Sequence, residues 1–88
     1  SNGMVKNIDL SGIRQILLYS RGQGGIEVHI DAADGPLAGE APFGTKDGWQ
    51  VLTVNLLPVN GRHDVYFVFV NKKQRFSGIS LQWVRFIN

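Results

Sequence analysis

The 88-residue chain contains no cysteine. That excludes a disulfide framework, thiol catalysis and any cysteine-ligated metal site. Charge of one sign is also lacking: nine Lys and Arg stand against seven Asp and Glu, for a net charge of +2. The single basic run, Lys72-Lys73-Gln74-Arg75, is too short to argue for a nucleic-acid surface and reads as a solvated loop. No apolar run is long enough for a membrane-spanning helix, and no signal-peptide pattern is present. Ser1-Asn2-Gly3 ahead of Met4 reads as a cloning scar, which leaves residues 4–88 as one small domain.

Helical periodicity is absent as well. What is there is alternation with a period of two. Ile13, Gln15, Leu17 and Tyr19 alternate with Arg14, Ile16, Leu18 and Ser20, a mixture expected of a strand covered on both sides over part of its length. Ile26, Val28 and Ile30 alternate with Glu27 and His29, as in a half-buried strand. Further strands are expected at Val51–Leu56, Asp64–Val70 and Ser80–Phe86. Eleven glycines and three prolines supply the turns between them, including Arg21-Gly22-Gln23-Gly24-Gly25, Asp34-Gly35-Pro36, Gly44–Gly48 and Asn60-Gly61. Short strands at this spacing predict an all-β sandwich.

Few residues offer catalytic chemistry. The carboxylates are dispersed; Asp31 and Asp34 share a turn, where such side chains commonly bond local backbone. His29 and His63 are solitary and do not have metal-ligand spacing. No serine lies in a nucleophile elbow, and the glycines at 22–25 open a strand where a phosphate cradle would open a helix. The chain is therefore not expected to be an enzyme. Tyr19, Trp49, Tyr66 and Trp83 are the amphipathic aromatics. Each either packs in the core or presents a ring face to a ligand such as a pyranose. Alternation within the last strand favours core packing or partial burial for Trp83. Trp49, at the turn Asp47-Gly48-Trp49-Gln50, is open between a plug over the core and a platform for a ligand.

The order of several segments is informative. Asp9-Leu10-Ser11-Gly12-Ile13 comes first, then Gly24-Gly25-Ile26-Glu27-Val28-His29-Ile30-Asp31, Gly35-Pro36-Leu37-Ala38-Gly39 and Asp47-Gly48-Trp49-Gln50. Gly61-Arg62-His63-Asp64-Val65-Tyr66-Phe67-Val68-Phe69 and Ile79-Ser80-Leu81-Gln82-Trp83-Val84-Arg85-Phe86 follow. In this order the segments resemble the family 6 carbohydrate-binding modules over nearly all of residues 8–86. The resemblance implies an antiparallel β-sandwich of jelly-roll type with about seven to eight strands. It also implies that the chain lacks the family's N-terminal portion.

By the same resemblance, Trp49 falls at a sugar-stacking tryptophan and Ser80 at an asparagine that bonds the sugar; Asn71 and Lys72 are the expected polar neighbours. Ser80 is shorter than asparagine and cannot make its two-way amide contact. The aspartate that the family associates with a structural calcium falls at Gln82, which offers no carboxylate. No cofactor is expected, with a structural calcium as the alternative. The resemblance implies a secreted, periplasmic or cell-surface module appended to a bacterial glycoside hydrolase or other carbohydrate-active protein and binding an oligo- or polysaccharide. The alternative is an accessory domain that has lost its sugar and serves in packing against other domains. A strand edge left uncovered would invite a homodimer.

Overall fold

The structure is a computed structural model, and it describes residues 3–22, 24–42, 48–70 and 80–88. Seven strands are present: β1 (Gly3–Asp9), β2 (Gln15–Arg21), β3 (Gly25–Ile30), β4 (Leu37–Pro42), β5 (Gln50–Asn55), β6 (Arg62–Val70) and β7 (Ser80–Ile87). They form two antiparallel sheets, one in the order β1-β6-β3-β4 and the other β5-β2-β7. The fold is thus the all-β jelly-roll sandwich expected, and the period-two strands lie where the alternation put them. Strands β1 and β4 were not visible as alternation. Gly3, the last residue of the expected scar, pairs with Phe67 at the start of β1.

Alternation decides which side chains enter the core. From β2, Ile16, Leu18 and Ser20 point between the sheets and are fully buried, while Gln15, Leu17 and Tyr19 face outward. Val28 and Ile26 of β3, Val65 and Phe67 of β6, and Leu52 and Val54 of β5 complete the interior. Burial of a side chain such as Phe67 contributes roughly 2–3 kcal/mol. The outward residues Gln15, Leu17 and Tyr19 are partly buried, and among the described residues no second layer covers that face.

The two long sides of the sandwich differ. On one, β4 lies against β5: the Leu57 N–H donates to the Ala38 carbonyl at 2.8 Å, and Gly39 sits so close that a Cβ there would meet the Asn55 carbonyl oxygen at 2.6 Å. On the other, β1 and β7 do not pair, and the apolar residues there (Val5, Ile8, Phe69, Leu81, Val84, Phe86) are only partly buried.

Each histidine ties down the turn that joins β3 to β4. His29 faces two acceptors, the Gly35 carbonyl at 2.7 Å from Nδ1 and Glu27 Oε1 at 2.8 Å from Nε2. His63 likewise faces the Asp31 carboxylate from Nδ1 at 3.0 Å and the Asn60 carbonyl from Nε2 at 2.8 Å. A neutral imidazole has one N–H, so only the protonated ring can donate to both acceptors. The Gly35 carbonyl and then Glu27 accordingly raise the pKa of His29, and the Asn60 carbonyl and then Asp31 raise that of His63. His29 thus ties the β3–β4 turn to its own strand, and His63 ties that turn to the segment before β6; these contacts explain both histidines as structural.

Candidate functional site: an aromatic row on the three-stranded sheet

The order β5-β2-β7 brings together three rings that are distant in sequence. Tyr19 stands on the outer face of β2, opposite Val51 of β5 and Trp83 of β7. Trp49 immediately precedes β5 and is placed beside the same end of β2 by the Ser20–Gln50 pairing. Gly48, with a φ of 94°, sets the chain direction into Trp49 in a region of backbone space that favours glycine. Tyr19 stacks on Trp49 with centroids 5.3 Å apart and 28° between planes, and on Trp83 at 5.5 Å and 18°. Both distances and tilts are those of favourable offset stacking.

The row has two unlike ends. Beyond Trp83, the Arg85 guanidinium carbon lies 5.5 Å from the ring centroid, within cation–π range. Trp49 has Tyr19 against one face and is nonetheless 41% exposed, so its exposed surface belongs to its other face and its edge. Trp49 is therefore not a plug sealed over the core.

Of the core and partial burial expected for Trp83, the partial one is found: the ring stacks on Tyr19 and is 38% exposed on the outer face. The cause is a register shift: Tyr19 pairs with Trp83 but Ser20 pairs with Leu81, so β7 carries one extra residue, Gln82, at that point. A bulge of this kind resets which residues point outward, and simple alternation does not anticipate it.

Ser80 is exposed at the start of β7, where it pairs with Arg21. It therefore lies at the same end of the sheet as Trp49, on the opposite side of β2. Asn71 and Lys72 lie outside the described residues. Tyr19 and Trp83 are members of the row that were not singled out as binding residues beforehand. Tyr19 was legible as an outward position of β2, but its convergence with the two tryptophans depends on strand order.

Further along this face, the Gln15 Nε2 amide donates to Asn55 Oδ1 at 3.1 Å, and Leu17, Val51 and Thr53 continue the surface. The residues do not fit a calcium at Gln82, which is exposed and uncharged. Among the described residues, no group of three or more His, Cys, Asp or Glu could hold a metal ion.

Fold and site together define a class: a small two-sheet antiparallel sandwich that presents stacked aromatic rings on an open sheet face. The family described as carbohydrate binding module (family 6) matches residues 15–88, and the chain belongs to it. Its family is one of binding modules. Among solved structures, the chain is similar to a family 6 carbohydrate-binding module from Clostridium cellulolyticum in complex with xylose. The identity is 28% and the TM-score 0.83, covering 99% of this chain and 71% of that one. It is also similar to part of a glycoside hydrolase family 43 arabinoxylan arabinofuranohydrolase from Bacillus subtilis, in complex with cellotetraose, at 26% identity and a TM-score of 0.84. That match covers 97% of this chain, which spans only 19% of the hydrolase. A β-1,3-glucan-binding module of the same family from Bacillus halodurans, at 22% identity and a TM-score of 0.83, shares the fold over 97% of this chain and 68% of that one. A search of the curated proteins found no match.

Proposed function

We propose that this chain is a non-catalytic module that binds an oligo- or polysaccharide weakly, by stacking a sugar ring on Trp49. The observation that carries this reading is the exposure of Trp49 while Tyr19 supports it from behind. A ring so held has little rotamer freedom left to lose on binding, which reduces the cost of ordering. Its free face suits the apolar C–H face of a pyranose. Ser80 at the same end of the sheet supplies a hydroxyl, and Asn71 and Lys72 are the proposed polar neighbours.

One aromatic face buries little area. At about 25 cal/mol per Å² of apolar surface the gain is a few kcal/mol before ordering costs, so millimolar affinity is expected. The sugars of the related structures, xylose, cellotetraose and β-1,3-glucan, are the ones to try first. As a module of this kind the chain would act outside the cell, secreted, periplasmic or at the cell surface, attached to a parent glycoside hydrolase.

Trp49→Ala should reduce affinity roughly tenfold or more, about 1.4 kcal/mol per tenfold, while the fold survives with a loss of about 1 kcal/mol from the Tyr19 stack. Calorimetric titration of both proteins checks this; undiminished binding by the variant would place the sugar elsewhere. A second reading, an accessory domain used for packing, is favoured by the partly buried Leu81, Val84 and Phe86 along β7.

A further inference from the structure

We infer that the sugar site at Trp49 takes an acidic polysaccharide, one whose rings carry uronic acid carboxylates, and that Arg21 is the residue that selects it. This deepens the sugar reading above and rests on it. Beside the aromatic row runs a second row of residues across the same sheet. Ser20 pairs with Gln50, so the next residue of β2, Arg21, stands beside Trp49; Arg21 itself pairs with Ser80. Alternation along β2 puts Arg21 on the same outer face as Tyr19, two residues beyond it. Trp49, Arg21 and Ser80 therefore cross the three strands in line, with adjacent strands about 4.8 Å apart. All three are exposed. Arg21 thus lies between the ring proposed to stack a sugar and the hydroxyl proposed to bond it.

Charge is sorted between the two sheets. Every strand of the four-stranded sheet carries one carboxylate: Asp9 on β1, Asp64 on β6, Glu27 on β3 and Glu40 on β4. The strands β5, β2 and β7 carry none, and their charged residues are Arg21 and Arg85. Asp31 and Asp34 belong to the turn that leaves β3, and Asp47 lies outside the described residues. Among the described residues, the ion pairs are those of the two histidines, and no carboxylate pairs with either arginine. Cations on a face without opposing charge raise the local concentration of anions. A neutral sugar gains nothing from that field, whereas a uronic acid does.

Arg85 extends the preference along the face. Its guanidinium carbon is held 5.5 Å from the centroid of the Trp83 ring. A guanidinium stacked on a ring has less freedom to lose on binding and keeps its planar fork of N–H donors for a ligand. That fork matches the two oxygens of a carboxylate. Steps of 5.3, 5.5 and 5.5 Å join Trp49 to Arg85 through Tyr19 and Trp83. A chain with one ring on Trp49 that crosses the sheet along this row reaches Arg85 a few sugar residues later. Arg21 serves the stacked sugar, Arg85 a later one, and a regular acidic polysaccharide offers a carboxylate to each.

Matched sugars test this by calorimetric titration. The probes are a xylo-oligosaccharide with a glucuronic acid branch and an oligogalacturonide, each compared with its own carboxyl-reduced, neutral counterpart. At low salt the acidic member of at least one pair should bind roughly tenfold more tightly than its counterpart, each exposed arginine supplying up to about fivefold. That ratio should fall toward one at about 0.5 M salt, where the charges are screened. Arg21→Gln should cut the ratio roughly fivefold and Arg85→Gln less, while Arg21→Lys keeps the charge and restores part of it. A merely structural role for Arg21 would weaken both members alike and leave the ratio standing. Lys6→Gln, on the other sheet, should not change the ratio. Both arginines are exposed, and circular dichroism confirms that the variants fold. Equal binding of the acidic and neutral members of both pairs, or an unchanged ratio in the double variant Arg21→Gln with Arg85→Gln, overturns the inference. Equal binding that still depends on Trp49 leaves the sugar reading standing; binding undiminished in Trp49→Ala overturns that reading, and this inference with it.

Discussion

Along one long side of the sandwich, Ala38 and Ala41 of β4 and Leu52 and Val54 of β5 are buried, and backbone meets backbone where Gly39 approaches Asn55. Along the other, Val5, Ile8, Leu81, Val84 and Phe86 carry the same apolar chemistry but remain partly in contact with solvent. A Cβ at Gly3 on that side would meet side chains at ordinary distances, Leu81 at 3.6 Å and Phe67 at 4.0 Å. The difference teaches that small residues, more than large ones, close this fold. A strand with Ala, Gly and Ala can lie tightly against its neighbour, whereas among the described residues the side lined by Phe, Leu and Val is only partly buried.

The largest expected effect is at the closest approach. Gly39→Ala would force a methyl into the Asn55 carbonyl and Val54, and overpacking against backbone costs about 3 kcal/mol or more. Gly3→Ala should change stability by less than about 0.5 kcal/mol. Urea denaturation of the pair measures both; equal effects would mean that the two sides are closed alike. A smaller contrast is expected between valines. Val54→Ala should cost about 2 kcal/mol and Val84→Ala under about 1 kcal/mol in dilute protein, because Val84 keeps part of its surface in water. If the Val84→Ala cost rises toward that of Val54→Ala in concentrated protein, a partner covers the open side.

The smallest effect concerns pH and the turn beside the closed side. The folded-state pKa of His29 is raised above 6.5, first by the Gly35 carbonyl and then by Glu27, with Asp34 adding a weaker pull. Its contribution is therefore fully present below about pH 6.5 and is lost as pH rises through the raised value. Thermal unfolding between pH 6 and pH 9 should show that decline in the parent chain and a shallower one in His29→Gln. The remainder belongs to His63, whose pKa is raised by the Asn60 carbonyl and then Asp31. An identical pH slope in the variant would remove His29 from this account.

Much of the fold was legible because alternation marks strands that have one buried face. β2, β3, β5, β6 and β7 all announce themselves in this way. β4 does not, because Leu37-Ala38-Gly39-Glu40-Ala41-Pro42 was composed for close approach and holds none of the β-branched or aromatic residues that mark a strand. β1 does not, because Lys6-Asn7 interrupts its period at a bulge with Asn7 in the left-handed region. At the site, Trp49 was legible from its turn, and family resemblance singled it out. The aromatic row was not, since it requires the non-sequential order β5-β2-β7 and a bulge at Gln82 that turns Trp83 outward.

Both tryptophans of the chain lie in this row, so their indole N–H resonances report on it directly. The most direct measurement is a proton–nitrogen NMR titration with xylo-oligosaccharide, cello-oligosaccharide and β-1,3-glucan fragments. The account predicts that at least one of these sugars shifts the Trp49 indole signal strongly and the Trp83 signal less, in a saturable way. Saturable shifts confined to residues remote from the row, with both indole signals still, would contradict it.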